Sequence, residues 1–155
     1  MSKIKIIDEN NCNVQSTKEL LSDMYKNVTM AQGAIKTLVD YVEQKDVKKR
    51  LYKQIEQYDV YVEQINDLSE NLGFDPTPAP KLAISMANVG IKAKMLTDNR
   101  QTHVAKIMMQ GTLNGVIDLY RLTTKYEDAH PQSITLLKEI LHYEESCLES
   151  CKNML

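Results

Sequence analysis

Near its C-terminal end the chain reads "EILHYEESCLESC" over residues 139–151. Two kinds of chemistry could sit in that stretch. Glu139 and His142 have the Glu-x-x-His spacing with which helical bundles hold pairs of metal ions, because it puts a carboxylate and an imidazole on one helix face. Cys147 and Cys151 follow one helical turn apart, so their thiols are neighbours but poorly placed for an unstrained bridge. With Cys12 the cysteines make an odd number without C-x-x-C spacing, which argues against a disulfide framework or a zinc knuckle. Small buried apolar groups are the expected role for at least one of them.

Glu139 and His142 can act only if their helix turns them inward. Ile134, Leu137, Leu141, Glu144, Leu148, Cys151 and Leu155 alternate by three and four, the apolar seam of a bundle helix. Glu139 and His142 fall on the far side of that seam, so they are expected to face solvent. A di-metal site also needs an inward glutamate from each of two helices and an inward Glu-x-x-His from each of the other two. The first long helix has no acidic residue on its seam, where Gln32 is the flanking polar group. The second offers Glu56 and Asp59 beside Tyr58 but no histidine, and the third only Asn114 and Asp118. The histidines, His103, His130 and His142, lie near helix ends or on an outer face. No metal, cofactor or catalytic residue is therefore expected. Nor does any nucleophile–base pair, phosphate loop or nucleotide fingerprint point to an enzyme.

The elements that carry these residues are legible from punctuation. The prolines fall in "DPTPAP" (76, 78 and 80) and "HPQS" (131), and helical periodicity fills the rest. Residues 1–15 read as a flexible arm and 16–155 as one domain, with helices over about 16–43, 46–72, 81–97, 100–126 and 131–154. "STKE" predicts a hydroxyl cap at Ser16 or Thr17, and Gly73 a left-handed stop after the second helix. The short "EQKD" break makes the first two long helices antiparallel neighbours. The stiff "FDPTPAP" segment starts a long crossover. Its own helix carries Leu82, Met86, Val89, Ala93 and Leu96 on one stripe, expected to cover the bundle, with Lys81, Lys92 and Lys94 off it. The fold class is all-α: two antiparallel hairpins joined by a long crossover containing an extra helix, a ferritin-like four-helix connectivity.

Composition narrows the partners. At 155 residues, 43% hydrophobic and 26% charged, the chain is the size and make-up of one globular domain. A net charge of −2 gives no electrostatic footprint for nucleic acid. No apolar run approaches the roughly 20 residues a bilayer requires. Without a secretory signal at the N-terminus, the cytoplasm is the expected location.

"HVAKIMMQGTLNGVIDLYRLTTKY" (103–126) and "YEESCLESCKNML" (143–155) resemble the third and last helices of uncharacterised bacterial ferritin-like bundle proteins. Ferritin-like proteins in general hold di-iron carboxylate sites, so the resemblance implies a four-helix bundle in which that ligand set is lost, a degenerate metal site, and it carries no activity over.

Glu144 resists a purely structural reading. It stands where the last seam calls for leucine, and a buried carboxyl must find donors, hold its proton or reach water. Counting from the turns places it near Asn114, Gly111 and Gly115, and places Gln32 level with Tyr58, with Tyr61 a turn away. A mid-bundle polar cluster of Glu144, Asn114, Tyr58, Tyr61 and Gln32 is thus expected, with the two glycines allowing a close approach. It would suit a metal or small ligand if the core binds anything. The favoured partner is another protein, above all a second copy, through off-seam tyrosines such as Tyr25, Tyr41, Tyr52, Tyr61, Tyr120 and Tyr143.

Overall fold

A computed structural model describes residues 12–98 and 100–155, so the expected arm falls mostly outside the described residues. Five helices follow in order: α1 (Val14–Val39), α2 (Lys45–Asn71), α3 (Lys81–Thr97), α4 (Gln101–Lys125) and α5 (Pro131–Lys152). No strand occurs among the described residues. α1 with α2 and α4 with α5 form the closely packed pairs, α1 joins the two pairs through α4, and α3 lies against α1. α2 and α5 approach at few positions, leaving the loosest seam of the bundle.

The core follows from the seams. Leu20, Leu21, Met24 and Val28 of α1, Leu51 and Ile65 of α2, Leu119 of α4 and Leu137 and Ile140 of α5 are all but inaccessible to water. Burying side chains of this size contributes about 1.5–3 kcal/mol each before entropy is counted, which makes these stripes the source of cohesion.

Helix ends are fixed locally. α1 starts at Val14, earlier than the hydroxyl cap predicted at Ser16 or Thr17. Asn13 is the cap: its side chain accepts from the Ser16 amide at 3.1 Å. Thr17 is freed for a tertiary task. Its hydroxyl donates to the Asn13 carbonyl and accepts from the His130 amide, both at 2.8 Å, tying the start of α1 to the α4–α5 corner. Gly73 takes the left-handed conformation after α2, with φ +70°. Pro131 occupies the first turn of α5, where its missing N–H costs nothing.

α3 presents the opposite face from the one its expected stripe gave. Met86, Val89, Ala93 and Leu96 point outward, with Leu96 78% exposed. Ile91 and Met95 face the core instead. The helix carries apolar residues on nearly every side, so periodicity alone does not select the buried one. The three lysines flank the exposed ridge and fit either orientation.

The glycines of α4 also depart from expectation. A methyl group placed on Gly111 would meet nothing within 4 Å, and one on Gly115 would meet only the Asn27 amide at 3.8 Å, an ordinary contact. Asn27 reaches across from α1 to donate to the Gly115 carbonyl at 3.2 Å. No ring or backbone presses on either glycine. Gly111→Ala is therefore expected to stabilise the fold by about 0.5–1 kcal/mol through helix propensity alone. Chemical denaturation measures this, and destabilisation would mean that the space beside Gly111 is in use.

Candidate functional site

The polar centre of the molecule lies where α5 faces α2. Glu144 is 2% exposed, on the buried side of α5. The Tyr58 hydroxyl, from α2, is directed at its carboxyl and favours the charged form, but burial outweighs it and pushes the Glu144 pKa up to about 7. No lysine, arginine or histidine contributes to that balance. Glu144 Oε1 is buried without a hydrogen-bond partner. A carboxyl so placed holds its proton below about pH 7.

Aromatic rings wall the site. Tyr143 meets Tyr58 edge-on at 6.0 Å between centroids and Tyr61 at 5.6 Å. This trio fills the space left by the loose α2–α5 seam, and such pairs contribute about 0.5–1.5 kcal/mol beyond their buried area. Burial, with the Glu144 charge adding to it, raises the Tyr58 hydroxyl well above its ordinary value, so it stays a donor. Cys147, one turn along α5, is buried against Gln54 and Tyr143. Burial likewise pushes its thiol up and the Cys151 thiol to about 11, leaving both as weakly nucleophilic neutral groups. Both are free, as is Cys12.

The expected cluster forms only in part. Glu144, Tyr58 and Tyr61 converge. Gln32 is buried at nearly the same level but turns the other way, its amide donating to Asp59 and, at 3.4 Å, to the Ile55 carbonyl. Asn114 is exposed and accepts only from Gln110 of its own helix, at 3.4 Å. α4 is rotated so that Val116 and Leu119, not Asn114, face the core. Gly111 is exposed on the same helix, and Gly115 is flanked by Asn27 of α1. Tyr143, Cys147 and Gln54 are the members that sequence reasoning missed. For the two on α5 the signal was a second apolar row, Leu136, Ile140, Tyr143 and Cys147, which widens the stripe toward α2; nothing in the spacing marked Gln54.

Glu139 and His142 are exposed and border an open groove of about 370 Å³ between α2 and α5, with Gln57, Gln64, Tyr61 and Tyr143 as neighbours. The other histidines are engaged elsewhere. His103 Nε2 lies 3.0 Å from the Lys94 carbonyl, and the His130 ring accepts from the Gln132 amide at the start of α5. Among the described residues, no group of three or more His, Cys, Asp and Glu side chains converges as a metal site. The one buried carboxylate among them has an aromatic, thiol and amide surround, which does not fit a di-metal centre. The tyrosines proposed for a surface also divide: Tyr52 and Tyr120 are exposed, whereas Tyr61 is buried and Tyr143 half-buried at the site.

No family model matches the chain, and no curated protein matches it. Among solved structures it is similar to YcfI of Rhodopseudomonas palustris, described as "a putative structural protein", with a TM-score of 0.52, 13% identity and coverage of 97% of each chain. At that identity the likeness concerns the fold.

Proposed function

We propose that this is a non-catalytic helical bundle of ferritin-like connectivity whose role is structural or protein-interacting, self-association included, without a complete di-metal site. The observation that carries the reading is the surround of the one buried carboxyl among the described residues. Glu144 is walled by Tyr58, Tyr143 and Cys147 with no cation or second carboxylate acting on it. That arrangement favours a neutral acid within a packed interior over a ligand poised for metal. The description of the R. palustris neighbour as "a putative structural protein" agrees with a non-enzymatic role. Three free thiols suit a reducing compartment such as the cytoplasm. None of the described helices is long and apolar enough to cross a membrane.

A second reading draws on the unpartnered Glu144 Oε1. A small donor molecule hydrogen-bonded there would make the bundle a ligand carrier. Elemental analysis separates metal carriage from the favoured role. Protein produced in iron- and manganese-supplemented medium and purified without chelator is expected to hold well under one metal ion per chain. Two ions per chain would overturn the proposal.

A further inference from the structure

We infer that the outer face of α2 is a self-pairing surface, on which a second copy of this chain docks antiparallel about a two-fold axis at Glu56. The inference rests on the self-association proposed above and names its interface. α2 turns one seam inward, through Leu51, Tyr58 and Ile65. On the opposite side a second seam repeats every three to four residues and is almost wholly charged. Its charges are segregated along the helix. Lys45, Lys49 and Lys53 occupy the first half, and Asp59, Glu63 and Asp67 the second, with no basic residue between Gln54 and Asn71. All six are exposed, and none takes part in an ion pair among the described residues, although Asp59 stands at the α1 edge of the face and also accepts from the Gln32 amide. α3 packs on α1, away from this face.

The spacing is self-complementary. Lys53 and Asp59 lie equally far from Glu56 on either side, as do Lys49 and Glu63, and Lys45 and Asp67. Rotating a second α2 by half a turn about an axis at Glu56 therefore sets each lysine opposite a carboxylate. Tyr52 and Val60 obey the same rule and meet at the centre. They are 52% and 45% exposed, the two large apolar side chains that α2 leaves to solvent. The Glu56 carboxylates flank the axis, each a turn from the other copy's Lys53. A two-fold contact must be complementary to itself, and this charge order is. A parallel pairing would put like charges together, and an antiparallel one shifted by one residue would set the lysines opposite uncharged side chains. Matched exposed charges fix register and partner more than they add affinity, so the pairing should weaken with salt.

Sedimentation velocity at low salt, with Lys49→Glu, Glu63→Lys and the double variant, tests this. Neither residue contacts the Glu144 site, and circular dichroism checks that each variant keeps its helices. The wild type is expected to dimerise at micromolar concentration and to dissociate as salt rises. Each single reversal should weaken the dimer by about tenfold or more, since symmetry applies every reversed pair twice. The double reversal should restore it. Self-association that ignores all three variants would overturn the α2 assignment while leaving self-association standing. Single reversals that weaken the dimer without rescue by the double would overturn the antiparallel register. A wild type that stays monomeric at low salt would overturn both.

Discussion

Replacing Glu144 with glutamine is expected to stabilise the protein by about 2–3 kcal/mol at pH 8 and to change little at pH 5. The sign follows from the direction of the shift. In the unfolded chain Glu144 titrates near 4.5, and in the fold near 7. Between those values the folded state holds a proton that the unfolded state has released, so raising pH favours unfolding. The contribution is therefore intact below pH 4.5, falls away through the interval and is fully lost above about 7. Moving a pKa by that amount corresponds to about 3 kcal/mol. Glutamine keeps the shape and removes the charge, though its amide also needs a partner, which lowers the expected gain. Urea unfolding of both proteins across pH 5–8 measures this as a difference curve, cancelling the other titrating groups. Parallel curves for wild type and variant would mean that Glu144 is solvated or paired.

The second large effect concerns Tyr58, which is 2% exposed and joins the aromatic trio to the carboxyl. Tyr58→Ala is expected to cost about 3–5 kcal/mol, because it opens a ring-sized cavity in the seam that the tyrosines fill between α2 and α5. Tyr58→Phe keeps the ring and removes the hydroxyl aimed at Glu144. Its cost should be about 1–2 kcal/mol at pH 8, where the carboxylate needs that donor, and smaller at pH 5. Equilibrium unfolding gives both values. If phenylalanine cost as much as alanine, or the same at both pH values, the hydroxyl would not be serving the carboxyl.

Much of the architecture is legible in residue spacing. The seams of α1, α2 and α4 recur every three to four residues, and Met24, Val28, Leu51, Ile65 and Leu119, which mark them, are all buried. The position of Glu144 on the buried side of α5 is equally legible, because a charged residue interrupts an apolar row. Its partners are less so. Which side chains meet it depends on the rotation of α4 and α5 about their axes, and a stripe as broad as that of α5 tolerates several rotations. The observed one sends Glu144 toward Tyr58 and leaves Asn114 in water. α3 fails for a related reason, since Ile91 and Met95 compete with Met86 and Leu96 for the core and only the path of the crossover decides. Gly111 and Gly115 mislead because a helical glycine signals missing volume, not what occupies it. Glu139 and His142 show that ligand spacing has meaning only once the facing helices supply the remaining donors.

Carboxyl ¹³C NMR of Glu144, titrated from pH 4 to 9 with and without excess Zn²⁺, asks most directly whether the interior is a neutral packed core or a vestigial metal cradle. A midpoint near 7 that zinc does not move is the expected result, since among the described residues no group of three or more His, Cys, Asp and Glu side chains converges there to hold the ion. A midpoint in the ordinary carboxylate range, or one driven down by zinc, would contradict it.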